Sequence, residues 1–402
     1  MVRWNSQRFL AAGKLAGIDA AVLHNAVEIA QRNLEAIPPT PPILTLGHLG
    51  HLTGLSVQYL RALVSRNAEA TYRQFQIRKR PVPGQPPRFR YIAVPEPRLM
   101  GLQRWIASEI LNKARCHPAA VAYIPGSQIV HAAQRHKNAK WLVKVDIRDF
   151  FESITEIDVY RVFLERGYQP LTALELARIC TRRREKQSEH AAAQSPRLKA
   201  MVRERGVFDY YSYIMGTLPQ GAPTSPMLAN LAVKPLDESL QSLADKFGMR
   251  YTRYADDLTF STNKKTYGRE KCVQLIGQIY ALLGSHGLNP NTSKRVIAPP
   301  GARKVVLGLL VDGKRPKLSR DFRSTMRMHL HYLLRDDVGP SGHAKERGFS
   351  SVEGLRQHLL GLISYAGQVD SAYAASCRAQ FREIAWPAVG SEFVIERQVN
   401  PA

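Results

Sequence analysis

The chain has 402 residues, and 44% of them are hydrophobic, which is typical of a folded protein and excludes gross disorder. Its 57 lysines and arginines against 33 aspartates and glutamates give a net charge of +24. Such an excess favours nucleic acid as a partner, although a ribosomal or membrane-surface protein has the same signature. The four cysteines include no CxxC pair, which argues against a zinc site or a disulfide framework.

No apolar run reaches the ~18 residues that cross a bilayer. The N-terminal residues are not followed by the unbroken apolar core of a signal peptide. We therefore expect a cytoplasmic protein without a membrane partner.

The first 70 residues are predicted to be helical. A stripe of apolar residues predicts an amphipathic helix from about Asp19 to Ile37, with Asp19 as its N-cap and the proline-rich segment 38–42 as its end. A second, short helix is predicted after Ser56. The apolar stripe of the first helix consists of Leu23, Val27, Ala30, Leu34 and Ile37.

Alternating apolar residues predict a β-hairpin between Tyr72 and Pro95. Its tip, residues 78–88, is basic and rich in proline and glycine. Such a tip is either a solvated loop or a finger that contacts phosphates. The sequence alone favours neither.

The rest of the chain is predicted to be largely helical outside its motifs. Residues 165–215 are basic and contain an exposed insertion at about 181–210. Two amphipathic helices are predicted near the end, one after Ser319 and one through Leu355–Ile363.

The strongest local signal is the segment Arg250–Ser261, where apolar and polar residues alternate on both sides of Asp256 and Asp257. The alternation predicts two strands joined by a tight turn. Aspartate is common in turns, so this pair alone indicates no chemistry. A catalytic interpretation needs a partner elsewhere in the chain.

The segment Leu142–Phe151 supplies such a partner, because an apolar strand ends there in Asp146. A buried strand rarely ends in a lone charge without a use. If this strand lies beside the hairpin, the carboxylates converge and can hold two Mg²⁺ ions about 3.5–4 Å apart. One ion would activate a primer hydroxyl, and the other would stabilise the leaving pyrophosphate.

A third segment, Leu218–Pro226, is a turn rich in proline and glycine that opens a helical run. Gly221 lets a backbone approach a ligand closely, and Gln220 can present its amide to a base or sugar. We therefore predict that both residues bind substrate.

Together, these three segments carry a family resemblance. They resemble motifs A, B and C of reverse transcriptases in the right order, and the chain looks most like the bacterial retron type over roughly Tyr72 to Phe381. The motifs are Asp-x-x-Asp-Phe-Phe at 146–151, Leu-Pro-Gln-Gly-Ala-Pro-Thr-Ser-Pro at 218–226 and Tyr-Ala-Asp-Asp at 254–257.

The resemblance implies an α+β fold. It is that of a right-hand polymerase, with fingers, an antiparallel-sheet palm and a helical thumb. The implied domains are an N-terminal helical region at 1–70, fingers and palm at 71–315, and the thumb and C-terminus at 316–402.

The resemblance also implies roles for the matching residues around motif A and motif C. Asp146, Asp256 and Asp257 would be the catalytic ligands of two Mg²⁺ ions. Phe151 matches the aromatic steric gate that excludes a nucleotide 2′-OH and so selects dNTPs. Asp149 matches a position whose backbone binds the incoming triphosphate.

Further matches lie outside these motifs. Arg90 matches a fingers arginine that contacts phosphates, and Lys294 matches a lysine that is a candidate general acid for pyrophosphate. Leu307 and Gly308 stand where the primer grip is expected.

Two retron elements are altered in this chain. The Asn-Ala-x-x-His element before motif A corresponds to Ala132–His136, which keeps the alanine and histidine but lacks the asparagine. The Val-Thr-Gly element corresponds to Val306–Gly308, which has leucine in place of threonine. The core polymerase motifs are intact.

The retron resemblance implies an enzyme that copies a structured noncoding RNA into branched, RNA-linked single-stranded DNA from dNTPs. It further implies membership of an anti-phage defence system with an effector protein. Alternatives are a group II intron-like or diversity-generating reverse transcriptase, a template-independent relative, or a non-catalytic RNA-binding scaffold. The short tail after Phe381 argues against an intron enzyme, and three clustered carboxylates, which repel one another, argue against a scaffold.

Overall fold

The computed structural model describes residues 4–78, 89–183 and 215–387. The tip of the predicted hairpin and most of the predicted insertion lie outside the described residues. The chain forms two compact units. The first unit comprises Met1–Ser127, Lys144–Thr259 and Glu270–Val296, and the second comprises Gln128–Val143, Phe260–Arg269 and Ile297–Ala402.

The described residues are mostly helical. Besides one π-helical turn at Ala107–Leu111, the helices are α1 Ser6–Leu15, α2 Ala20–Glu35, α3 Leu46–Thr53, α4 Val57–Val64, α5 Pro97–Ile106, α6 Ile129–Gln134, α7 Phe150–Ser153, α8 Glu156–Glu165, α9 Pro170–Cys180, α10 Ser225–Ala232, α11 Lys234–Lys246, α12 Arg269–Ser285, α13 Arg320–Leu333, α14 Gly339–Glu346, α15 Val352–Gly367 and α16 Ser371–Glu383.

Within the described residues, the strands form three sheets. They are β1 Tyr72–Arg78, β2 Phe89–Pro95, β3 Trp141–Ile147, β4 Arg250–Tyr254, β5 Asp257–Thr262, β6 Pro290–Ala298, β7 Val305–Val306, β8 Leu309–Leu310 and β9 Lys317–Leu318. β1 pairs with β2, a central sheet has the order β4-β5-β3-β6, and β7, β8 and β9 form a small third sheet.

Side-chain caps begin several helices where the sequence predicts them. Asp19 accepts hydrogen bonds from the backbone N–H groups at the start of α2, the shortest being 2.7 Å from Ala21. Ser56 caps α4, and Ser319 caps α13. Each cap satisfies N–H groups that have no partner within the helix, which confirms these three helix starts.

The predicted apolar stripe of α2 is right at its beginning and wrong at its end. Leu23 and Ala30 are buried, but Leu34 is 41% exposed and Ile37 is 79% exposed. Asn33 is buried instead, because its side-chain amide donates a hydrogen bond of 3.3 Å to the carbonyl of Arg166. A tertiary polar contact therefore sets which face of the last turn is buried, and periodicity alone does not reveal it.

Strands β1 and β2 form the predicted hairpin. Their antiparallel register runs from Tyr72 opposite Pro95 to Arg78 opposite Phe89. Most of β1 is exposed, whereas the end of β2 is buried next to α5. The base of the hairpin is thus attached to the core of the first unit, whose fully buried side chains include Leu102, Ile106, Phe163 and Leu176.

The second unit has an apolar core of its own, built largely from α13 and α15. Met326, Leu330, Leu355, Leu359 and Ile363 are at most 2% exposed, which confirms the two predicted amphipathic helices. The sequence did not predict α14, since two glycines and a proline within Gly339–Glu346 are typical of a loop.

Candidate active site

A tight turn at the end of the central sheet carries the aspartate pair. β4 and β5 are joined by Ala255 and Asp256, and Ala255 has a φ of 54°. An alanine in the left-handed region is strained, and such strain is concentrated at functional sites. The Asp256 carbonyl accepts a 2.9 Å hydrogen bond from the backbone N–H of Ile147. This bond brings the end of β3, and with it Asp146, next to the turn.

Asp146 is held by two side chains from β6, the neighbour of β3 in the sheet. Its Oδ1 accepts a hydrogen bond of 2.9 Å from the Asn291 amide, and its Oδ2 lies 2.6 Å from Lys294 Nζ. The hydroxyl of Ser293 donates to Asn291 Oδ1 at 2.8 Å, which fixes the orientation of that amide. Both β6 residues therefore orient the motif A carboxylate.

Asp257 has a lysine partner as well. Lys144 Nζ lies 2.6 Å from Asp257 Oδ2. Lys144 and Asp146 are two residues apart on β3 and partly exposed, while Val143, Val145 and Ile147 between and beside them are buried. The alternation of the strand thus places both charged groups on one face.

The electrostatics show that the aspartates lie close together. Burial raises the pKa of Asp256, the Asp146 carboxylate raises it further, and Lys294 and Arg90 act in the opposite direction. Burial also raises the pKa of Asp257, and Lys144 opposes that shift. A site that crowds carboxylates in this way favours the binding of cations.

The donor set fits a divalent metal, because hard carboxylate oxygens are the ligands that Mg²⁺ prefers. Within residues 4–78, 89–183 and 215–387, no three histidine, cysteine or acidic side chains are arranged to hold an ion. Two lysine ammonium groups lie against Asp146 and Asp257 instead. Cationic groups therefore compensate part of the charge of the carboxylates.

An aromatic cluster lies beside the turn. Tyr123 has a φ of 61°, and its ring centroid is 6.0 Å from that of Phe151 and 6.2 Å from that of Tyr254. Burial raises the pKa of Tyr123, with further contributions from Tyr254 and Asp256. The predicted gate residue Phe151 is thus part of one surface with Tyr123, which the sequence reasoning missed because no motif contains it.

Asp149 lies between Asp146 and the aromatic residues, in the left-handed conformation with φ 46° and ψ 45°. Its side chain does not cap α7, whereas its carbonyl accepts hydrogen bonds from Ser153 N and Oγ at 2.8 and 3.0 Å. The backbone here turns sharply from β3 into the helix. The role of the Asp149 backbone in binding a triphosphate stays a prediction.

The motif B turn packs against strand β2. The Gln220 carbonyl accepts a 2.8 Å hydrogen bond from Ala93 N. Gly221 has a φ of 117°, and a Cβ built on it would lie 2.9 Å from both the Ala93 carbonyl oxygen and Ile92 Cγ2. The close approach that requires glycine is therefore an approach to β2, the strand that also carries Arg90. Whether Gly221 also contacts a ligand stays a prediction.

Elements that differ from the retron pattern have structural partners in the second unit. His136 is buried, and its Nδ1 lies 2.7 Å from Ser261 Oγ. Leu307 and Gly308, with φ of 49° and 82°, form the two-residue turn between β7 and β8. Both central residues have positive φ, as a type I′ turn requires. The hydroxyl of Tyr365 donates a 3.0 Å hydrogen bond to the Leu307 carbonyl.

The amino-acid sequence of this chain matches those of known proteins. The family model described as reverse transcriptase (RNA-dependent DNA polymerase) matches residues 77–309, more than half of the chain. This chain belongs to the reverse transcriptase family. The family establishes the predicted fold class, an α+β right-hand polymerase, and the activity of an RNA-directed DNA polymerase. Its members generally use divalent metal ions and bind an RNA template.

Curated relatives identify the bacterial retron type. The retron Ec86 reverse transcriptase of Escherichia coli is 29% identical, over 82% of this chain and 86% of that protein. The retron Mx162 reverse transcriptase of Myxococcus xanthus is also 29% identical, over 73% of this chain and 58% of that protein. The retron Mx65 reverse transcriptase of the same organism is 30% identical, over 71% and 59%.

Among solved structures, telomerase from Candida albicans in complex with a fragment of telomeric RNA matches 81% of this chain and 60% of that chain. The two chains share 11% sequence identity, and the TM-score is 0.35. No helix among the described residues is both long and apolar enough to cross a membrane.

Proposed function

We propose that this reverse transcriptase copies a structured noncoding RNA into branched, RNA-linked single-stranded DNA, with Asp146, Asp256 and Asp257 as its catalytic carboxylates. The observation that carries the proposal is the convergence of Asp146 and Asp256. A backbone hydrogen bond joins the ends of their segments, and the charge of one raises the pKa of the other. Crowded carboxylates of this kind destabilise a site that holds no cation.

The three aspartates would hold two Mg²⁺ ions, which supply charge neutralisation and a more acidic primer hydroxyl. The hydroxyl oxygen would then bond to the α-phosphorus of a dNTP and lose its proton to solvent, and the bond to pyrophosphate would break. Lys294 Nζ lies 2.6 Å from Asp146 Oδ2 and would donate a proton to the leaving pyrophosphate. Asn291 holds the other oxygen of Asp146 and keeps that carboxylate in a fixed orientation.

Other residues would bind and select the nucleotide. The ring of Phe151 lies 6.0 Å from that of Tyr123 and would exclude a ribose 2′-OH, which selects dNTPs. Arg90 contributes positive potential at Asp256 and would contact the triphosphate. The backbone of Asp149 and the turn at Gln220 and Gly221 would complete the pocket.

We further propose the domain limits 1–70, 71–315 and 316–402 for the N-terminal helical region, the fingers with the palm, and the thumb with the C-terminus. The first primer would be a ribose 2′-OH of the template RNA, so that the product is joined through a 2′ branch. The net charge of +24 supports binding of the RNA through its phosphates. By analogy with the retron type, the enzyme would act in the cytoplasm with an effector protein in anti-phage defence.

The test is to purify the protein from its native locus and to analyse the nucleic acid that it binds. The nucleic acid is treated with RNase and with debranching enzyme, and a double variant, Asp256→Ala with Asp257→Ala, is the control. A discrete single-stranded DNA that carries a 2′ branch and is absent from the variant supports the proposal.

Three other outcomes would contradict parts of it. Primer extension in vitro without any branched DNA would leave a reverse transcriptase of the intron-like or diversity-generating kind. DNA synthesis without a template would indicate the template-independent alternative. Absence of DNA synthesis in both assays would favour the RNA-binding scaffold.

A further inference from the structure

One charged side chain lies at the centre of the active-site unit and has no assigned role. Arg253 is on β4, three residues before Asp256, and is 0% exposed. Its guanidinium forms two hydrogen bonds with the Asp237 carboxylate, Nε to Oδ1 at 2.8 Å and Nη2 to Oδ2 at 2.6 Å. Asp237 is also 0% exposed, and it accepts a further hydrogen bond of 2.8 Å from the Tyr251 hydroxyl.

The third nitrogen of the guanidinium points to the catalytic segments. Arg253 Nη1 donates to Asn230 Oδ1 at 3.0 Å and to the carbonyl of Ala255 at 3.3 Å. The guanidinium carbon also lies 5.7 Å from the ring centroid of Phe150, the neighbour of Phe151. One planar group thus lies next to the helix that follows motif B, the motif C turn and motif A.

The backbone of Arg253 is fixed as well. Its N–H donates to the Ala119 carbonyl at 2.8 Å, and its carbonyl accepts from Val121 N at 2.9 Å. Asn230 Nδ2 donates to the Ala122 carbonyl at 2.8 Å, which holds the residue before Tyr123. The hydrogen bonds of Arg253 and its partners therefore connect the turn, the segment that carries Tyr123 and α10.

Stability alone is a weak reason to keep this ion pair. A buried pair of charges can often be replaced by apolar residues of similar volume without loss of stability. Arginine differs from such residues, and from lysine, in that its rigid fork reaches several acceptors in fixed directions. Here the Ala255 carbonyl belongs to a residue with φ 54°, a strained conformation that an external hydrogen bond stabilises.

We propose that Arg253 is a positioning residue, which holds the Ala255 carbonyl and thereby fixes Asp256 relative to α10 and α11. The inference rests on the proposed catalytic role of Asp256. Arg253 is 0% exposed and cannot reach a bound substrate, so it acts only through the turn.

The test is Arg253→Lys, measured as single-turnover incorporation of one dNTP on a DNA primer annealed to an RNA template. Lysine keeps the charge beside Asp237 but cannot reach Asn230 and Ala255 at the same time. The rate constant is expected to fall at least about tenfold, since small displacements of catalytic groups are costly, while the apparent Kd for dNTP stays within about threefold.

The matched control is Arg166→Lys. Arg166 is another buried arginine of the same unit, 8% exposed, and it donates to the Ile37 carbonyl at 3.2 Å and also to the Pro38 carbonyl. This variant is expected to lose thermal stability but to keep the rate constant of the folded enzyme. A merely structural role of Arg253 would give the same result as the control, and that would overturn the inference.

A second protein background, Ala255→Gly, distinguishes a positioning role of Arg253 from a role in folding alone. Glycine adopts a left-handed conformation without strain, so in Ala255→Gly the turn depends less on Arg253. The rate loss caused by Arg253→Lys is then expected to be clearly smaller than in the wild-type background. Equal losses in the two backgrounds would overturn the proposal.

If Arg253→Lys does not fold, Asn230→Ala replaces it, because it keeps the ion pair with Asp237 and removes one acceptor of Nη1 together with the donor to the Ala122 carbonyl. A lower rate constant at unchanged dNTP affinity supports the inference, and an unchanged rate constant overturns it. Activity that survives Asp256→Ala would instead contradict the proposed function, so the two failures are distinguishable.

Discussion

The end of the central sheet and the core of the second unit differ in their buried groups: the first brings carboxylates together, and the second is almost wholly apolar. At the end of the central sheet, burial and the Asp146 carboxylate raise the pKa of Asp256, and the turn that carries Asp256 contains a strained alanine. The core of α13 and α15 is almost wholly apolar, and its buried polar contact is a pair of neutral histidines. We propose that the polar groups of the first region serve catalysis at a cost in folding stability, whereas the apolar core of the second unit contributes to folding stability. Substitutions in the two regions should therefore affect different quantities.

The largest expected effect on stability comes from Leu359→Ala in α15. Leu359 is 0% exposed, so the truncation leaves a cavity and lowers the free energy of unfolding by about 2–5 kcal/mol. Urea unfolding followed by circular dichroism measures it. Leu334→Ala, at a residue that is 39% exposed, should cost less than about 1 kcal/mol. Similar losses for both variants would break the comparison.

In the active-site region, Phe151→Ala should change selectivity more than stability. Removal of the ring opens space for a 2′-OH, so the preference for dNTP over rNTP should fall by about 10–100-fold. Competition between the two nucleotides in primer extension measures the ratio. Phe9→Ala, at a half-buried residue of α1, should leave the ratio unchanged. A ratio that stays at the wild-type value in Phe151→Ala contradicts the gate.

The histidine pair of the second unit should make stability depend on pH. Burial is the main cause that lowers the pKa of His329 to about 4, and His343, Arg347 and His358 contribute to the same shift. An unfolded histidine titrates near 6.5, so the unfolded state binds more protons between pH 6.5 and about 4. The contribution is complete above pH 6.5 and is lost as the pH falls, by up to about 1.4 kcal/mol per pH unit.

Urea unfolding at several pH values checks this prediction. His329→Gln should reduce the pH dependence between pH 6.5 and 4, whereas His131→Gln, at an exposed residue of α6, should leave it as in the wild type. An identical slope in His329→Gln and the wild type would show that His329 does not set it.

The smallest expected effect is that of Asn291→Ala. Without the amide, Asp146 loses a hydrogen bond of 2.9 Å, and the rate of dNTP incorporation should fall about tenfold, as for other residues that orient metal ligands. The stability should hardly change, since Asn291 is partly exposed. Thr292→Ala, the exposed neighbour, is the control and should retain the wild-type rate. Equal rates for the two variants would show that Asn291 does not orient Asp146 for catalysis.

The local features of this chain could be predicted from its sequence. The motif C turn depends on a few adjacent residues, and so do the helix caps at Asp19, Ser56 and Ser319. The motifs themselves were sufficient for the family and the fold class. Each of these signals is contained in a short window, which is why pattern and propensity suffice.

What could not be predicted depends on residues that are distant in sequence. Asn291 and Asp146 are 145 positions apart, and nothing in either segment indicates that β6 lies beside β3. Gly221 was interpreted as a point of approach for a ligand, but the atoms nearest to its missing Cβ belong to β2. Arg253 stands in a polar segment of the sequence and is nevertheless 0% exposed, because its acceptors come from α10 and α11.

The most direct test of the central claim is to measure both activity and stability of Asp256→Asn. We expect Mg²⁺-dependent dNTP incorporation on a primed RNA template to fall by about 1,000-fold or more, because a ligand that stabilises charge in the transition state is lost. We expect the thermal unfolding temperature not to be lowered, since burial and Asp146 disfavour the charged form of Asp256. Wild-type incorporation by the variant, or a large loss of stability without loss of activity in the folded fraction, would contradict the claim.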